Sequence, residues 1–165
     1  MSQTQKKFEK NGYVIVPGNL ILLNKIRKII FNNIKQNTKI RSKDDTEKNI
    51  TTIFNNFHKF ISLKKLNSLR FNVYKNINVG NTFSEIYYEI AKEYLDELVG
   101  NELAMQKKIN LSIQLPKDKD SLLDLHSDIY AGESPFQVVV WIPLVDVYNT
   151  KSMFITNPRY NKKMN

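Results

Sequence analysis

The spacing of apolar residues changes at Gly100, and this switch constrains what the chain can build more than any other feature. Before Gly100, apolar side chains recur every three or four residues, the spacing of helices with one buried face. After it, Ile109, Leu111, Ile113 and Leu115 alternate with Asn110, Ser112 and Gln114, the period of two that marks a strand with one buried face. Helices first and strands second is the α+β order, in which helices back one face of a sheet.

The helical part divides at its turn residues. Residues 8–17 read as a helix end, an Asn11-Gly12 turn and a short strand over Tyr13, Val14, Ile15 and Val16. Asn19 is placed to cap a helix with Leu22, Ile26, Ile29, Ile30 and Ile34 on one face. Residues 37–49 are polar, without period, and read as a loop. A second helix is predicted from about Thr46, with Ile53, Phe54, Phe57, Phe60 and Ile61 on its apolar face, and a third over residues 63–74. Gly80-Asn81 breaks the chain. Thr82 then opens a helix with Phe83, Ile86, Tyr87, Ile90, Tyr94, Leu95 and Leu98 on its face and Gly100 as its stop.

Three strands are predicted after the switch. The first covers residues 109–115 and is ended by Pro116; residues 117–120 turn. The second covers 123–130, followed by a turn over Gly132, Glu133, Ser134 and Pro135. The third, 138–144, is almost continuously apolar, as expected of a strand buried on both faces. Met153, Phe154 and Ile155 begin a possible fourth. No internal repeat or low-complexity linker interrupts the sequence.

With 165 residues, 41% of them hydrophobic, one domain spanning 1–165 is expected. The N-terminus does not read as a secretory signal, and no stretch approaches the ~20 apolar residues of a membrane helix. The default reading is a cytoplasmic chain without a membrane partner. The absence of cysteine excludes disulfides, thiolate metal sites and cysteine catalysis. The net charge of +9 raises nucleic acid as a partner. Only Arg27, Arg41, Arg70 and Arg159 are arginine, and the lysines are spread without a dense cluster, so the composition argues against it.

The chemistry lies at His126 and Asp128. On a strand, residues two apart share a face, so the imidazole and carboxylate converge. They supply two of the three donors of a two-His-one-carboxylate iron site. His-x-Asp alone is a weak signal. His58, the one other histidine, sits beside Phe57 on a predicted helix away from the strands. Asp124 shares the parity of His126 and Asp128, but a solvated carboxylate is its simpler reading. Trp141, Tyr87, Tyr88 and Tyr94 read as packing residues, and Lys64-Lys65 as a solvated face.

The flanking residues strengthen the motif. The opening Phe8-Glu9-Lys10-Asn11-Gly12-Tyr13-Val14-Ile15-Val16 resembles the start of phytanoyl-CoA dioxygenase-like Fe(II)/2-oxoglutarate oxygenases. The stretch from His126 to Gln137, with Trp141-Ile142-Pro143-Leu144-Val145-Asp146 and Ser152-Met153, resembles a bacterial subgroup from sporadic carbohydrate-biosynthesis clusters. The resemblance implies a double-stranded β-helix, or jelly-roll barrel, backed by the N-terminal helices. It implies Fe(II) held by His126 and Asp128, 2-oxoglutarate as cosubstrate, and hydroxylation of a small, carbohydrate-linked metabolite. Asn110, Ser112 and Gln114, on the polar face of the preceding strand, and more weakly Gln137, are the candidate cosubstrate contacts.

The sequence departs from the family pattern in one respect that matters to the chemistry. The family places a second His downstream of the motif, followed by an Arg that pairs with the far carboxylate of 2-oxoglutarate. No His follows Asp128, and Arg159 lacks the preceding His. The expectation is therefore a member lacking its C-terminal strands. The alternative is a non-catalytic remnant or binding protein. Substrate and oligomeric state are not legible.

Overall fold

The computed structural model describes residues 1–38, 40–42 and 44–159. Five α-helices lie among the described residues, and all but the first contribute buried residues to the core. Helix α1 (Gln3–Asn11) starts in a capping box: the Ser2 hydroxyl accepts from the Gln5 amide at 3.1 Å, and Gln5 Oε1 accepts from the Ser2 amide at 2.8 Å. Gln5 Nε2 also donates to the Glu97 carbonyl at 2.7 Å, which ties this helix to the last one. Gly12 ends α1 at φ +79, where the chain turns left-handed and its amide donates to Phe8.

Helix α2 (Leu20–Asn37) is the centre of the layer. Its cap is the expected one, with Asn19 Oδ1 accepting from the Ile21 and Leu22 amides at 3.0 and 3.2 Å. Ile26, Ile30 and Ile34 are buried along it at the helical spacing read from the sequence, Leu22 and Ile29 are partly buried, and Phe31, not read as part of that face, is buried with them. Around α2 pack α3 (Glu47–Asn55), α4 (Leu63–Ile77) and α5 (Thr82–Val99), while α1 lies on α5. Phe31 is fully buried and meets Phe54 of α3 edge to face, with ring centroids 6.2 Å apart. Leu66, Leu69, Val73 and Ile77 form the buried stripe of α4.

Two boundaries differ from expectation. The second predicted helix stops at Asn55, and Phe57–Lys59 form a separate 3-10 turn that still buries Phe57. Helix α4 runs on to Ile77, because Val73 and Ile77 continue its buried stripe by one more turn. Asn81, not Thr82, stands at the cap position of α5, and Gly100 closes that helix as expected.

The sheet is where the structure corrects the sequence. Among the described residues there is no β-strand, no sheet and no jelly-roll barrel; one isolated antiparallel bridge joins Tyr148 and Lys151. Residues 13–16 are not a strand either, and Ile15 is 88% exposed.

The physical reason is the choice of partners. A ladder needs two extended segments side by side, about 4.8 Å apart. Here two of the extended segments bond instead to helix side chains. Residues 109–115 lie along α4: Asn78 brackets the Ile109 backbone, and Arg70 donates to the Ile113 carbonyl. Residues 138–146 cross three helices. Tyr87 of α5 donates to the Val140 carbonyl, Arg27 of α2 to that of Leu144 at 3.1 Å, and Asn55 of α3 accepts from the Asp146 amide at 3.1 Å.

The alternation survives without the sheet. Ile109 is buried and Leu111, Ile113 and Leu115 are half-buried against the helices, while Asn110, Ser112 and Gln114 face outward. In the third segment Val138, Val140 and Ile142 are half-buried, and Val139 and Trp141 are exposed, so it is covered on one face and not on both. Residues 123–130, predicted as the second strand, are exposed throughout and end in a 3-10 turn, Asp128–Ala131.

Candidate metal site

His126 and Asp128 meet, although not by strand parity. His126 lies in a bent, extended stretch, and Asp128 is the first residue of the 3-10 turn that Gly132 closes at φ +97. His126 Nδ1 sits 2.7 Å from the Asp124 backbone carbonyl. A carbonyl can only accept, so Nδ1 carries the hydrogen in this contact. In the neutral ring, Nε2 is then the bare nitrogen. It faces Asp128 Oδ1 at 3.6 Å.

That separation is wider than two donors at a right angle on one ion would have, and close to that of two donors at about 120°. Two donors each bonded at about 2.1 Å to one cation stand roughly 3.0 Å apart at a right angle and roughly 3.6 Å apart near 120°. A backbone carbonyl holding the far ring nitrogen is also how metal-binding histidines are oriented. Both side chains are about half exposed, at 51% and 47%. The pair is thus open to water. Among the described residues, no three His, Asp or Glu side chains are grouped so as to hold one ion. His58 is exposed on the 3-10 turn after α3 and does not join the pair.

Among the described residues, no hydrogen bond links the four cosubstrate candidates to His126 or Asp128. Asn110 and Ser112 lie on the outward face of their segment. Gln114 is turned to its own loop, with Nε2 donating to the Ser121 carbonyl at 2.8 Å. Gln137 is exposed beside the turn that follows Ser134.

Two polar clusters went unread in the sequence. In one, Arg70 Nη2 lies 2.5 Å from Asp118 Oδ2 and 2.7 Å from the Ser121 hydroxyl. The Ser121 hydroxyl, together with the charge and hydrogen bond of Arg70, holds the Asp118 carboxyl below its ordinary value. The other borders an open cleft of about 460 Å³ lined by Arg27, Glu47, Asn55 and Asp146. Burial lowers the Arg27 pKa, against the opposing charges of Asp146 and Glu47. Arg27 and Arg70 each interrupt or flank an otherwise apolar helical stripe, and that was the available signal.

Comparison with protein-family models, with curated proteins and with solved structures finds no match for this chain.

Proposed function

We propose that this chain is an Fe(II)/2-oxoglutarate oxygenase-type polypeptide that carries half of a metal site, its substrate a small, carbohydrate-linked metabolite. The observation that supports this reading is the His126–Asp128 pair, with Nε2 3.6 Å from the carboxylate oxygen, inside the motif that resembles the oxygenase subgroup. His126 and Asp128 would hold the ion. Iron with 2-oxoglutarate, when bound, supplies oxidation of a substrate C–H bond. The residues of this chain contribute orientation: the Asp124 carbonyl fixes the ring, and the turn Asp128–Ala131 presents the carboxylate.

Two donors do not make the full site. Oxygen activation of this kind needs three protein ligands on one face and a clamp for the far carboxylate of 2-oxoglutarate, for which an Arg fork is suited. The donors present fit an ion and do not fit turnover, so the chain alone is expected to bind Fe(II) weakly and not to form succinate. The test is succinate formation from 2-oxoglutarate with Fe(II) and ascorbate. It is run for the chain and for the chain extended with a homologous C-terminal half that carries the missing His and Arg. Activity only in the extended protein supports the reading. Turnover by the 165-residue chain, lost in Asp128→Ala, refutes the half-site; silence from both favours the second reading, a non-catalytic remnant or binding protein. The exposure of the pair and the lack of a third grouped donor among the described residues favour that second reading.

A further inference from the structure

Counting charge along the chain shows an asymmetry that its total conceals. Residues 1–75 hold 16 Lys and Arg against 4 Asp and Glu, whereas residues 76–135 hold 5 against 11. A chain so divided has a basic part and an acidic part that attract each other across molecules. Each part also carries exposed apolar side chains.

On the basic side, the outward stripe of α4 is Lys64, Ser68, Phe71 and Lys75. Their steps of three and four residues align them on the face opposite the buried stripe. Phe71 is 67% exposed at the middle of this stripe, with a lysine toward each end. On the acidic side, residues 122–136 form an exposed ribbon. Leu122, Leu123, Leu125, Tyr130 and Phe136 are 69–91% exposed, and Asp124, Asp128 and Glu133 stand among them. The ribbon follows just after the Arg70–Asp118 clasp, and every residue from 122 to 136 is exposed.

These five ribbon side chains and Phe71 present on the order of 800 Å² of surface, about what one partner buries in a standard protein interface. Two-fold pairing uses both patches twice: the ribbon of one copy meets the α4 stripe of the other, and the reverse. We propose that the chain forms a two-fold dimer in which residues 122–136 of each copy dock on the Lys64–Phe71–Lys75 stripe of the second. Phe71 is the apolar anchor, and the flanking lysines face Asp124 and Glu133. The opposite charges set the register, and the apolar area supplies most of the affinity.

Sedimentation of the full chain from about 1 to 100 μM tests this, a range that populates a micromolar dimer. A concentration-dependent dimer is expected. Phe71→Ser, a change at an exposed position that keeps the helical circular dichroism, should weaken it roughly tenfold or more. Lys64→Glu with Lys75→Glu should do the same, and adding Asp124→Lys with Glu133→Lys should restore the dimer. A monomer throughout the range, an open series of larger assemblies, a dimer unmoved by Phe71→Ser, or a charge swap that fails to restore association would each overturn the proposal.

Discussion

Asn78 stands in for a neighbouring strand beside Ile109. Its Oδ1 accepts from the Ile109 amide at 2.7 Å and its Nδ2 donates to the Ile109 carbonyl at 3.1 Å, the two bonds a sheet partner would make. Ile109 is only 4% exposed, so these backbone groups have little access to water once the side chain is removed. Asn78→Ala should destabilise the protein by about 1–3 kcal/mol, the cost of leaving buried polar groups unpaired. Asn78→Asp should recover part of that, since it keeps the acceptor and loses the donor. Chemical denaturation of the three proteins measures both differences.

The Arg70–Asp118 clasp predicts the acid limb of stability. Asp118 has its pKa lowered from an ordinary 3.8 by the Ser121 hydroxyl and by Arg70. A carboxylate with a depressed folded pKa contributes stability that is fully present above its unfolded value and lost as pH falls through the folded one. Wild type should therefore lose stability on acidification below about pH 4, and Asp118→Asn should be less stable at neutral pH with a flatter acid slope. Thermal melts from pH 7 to pH 2.5 would show whether the two curves converge at the acid end. Parallel curves would locate the acid sensitivity elsewhere.

Gly12 and Gly80 offer a matched pair for separating backbone strain from crowding. Both have positive φ, +79 and +70. A Cβ at Gly12 would meet Pro158 Cγ at 2.8 Å, and one at Gly80 meets nothing within 4 Å. Gly80→Ala should cost about 1 kcal/mol from the left-handed backbone alone. Gly12→Ala should cost more, by the displacement of the 158 region from the end of α1. Equal losses would mean that Pro158 gives way freely.

Ion binding should distinguish the roles of three neighbouring residues. Under anaerobic titration with Fe(II) or Mn(II), His126→Ala and Asp128→Ala should each remove the remaining weak binding, because one donor holds no ion in water. Asp124→Ala should bind as wild type does, since only its carbonyl touches the imidazole. Tight binding that persists in His126→Ala would place the site elsewhere. Loss in Asp124→Ala would make its carboxylate a donor.

The helical half was legible because each signal was local. Asn19 caps where its short polar side chain can reach free amides, the α2 stripe is buried at its predicted spacing, and Gly100 stops α5. The apolar run past Tyr74 was missed because Asn76 and Asn78 diluted the stripe that Val73 and Ile77 continue. The strand half was legible only in part. Alternation at 109–115 fixed which side chains would be covered, and they are half-buried or buried. It could not name the partner, since ladder hydrogen bonds and side-chain hydrogen bonds leave the same pattern on the strand itself. His126 and Asp128 do lie side by side, but the strand parity from which this was expected is absent, and the 3-10 turn at Asp128 was not legible. Glycine at 132, free to take φ +97, was its one trace.

The attachment of residues 138–146 has a mechanical consequence. A sheet opens like a zipper, because each ladder bond lost exposes the next. This segment is held at separate rivets: Tyr87 at Val140, Arg27 at Leu144 and Asn55 at Asp146. Rivets fail one by one. Cutting Tyr87 to Phe should loosen the chain around Val140, whose carbonyl loses its donor, while the Asp146 amide stays protected on Asn55 Oδ1, so that release of the segment is graded along its length and never all at once.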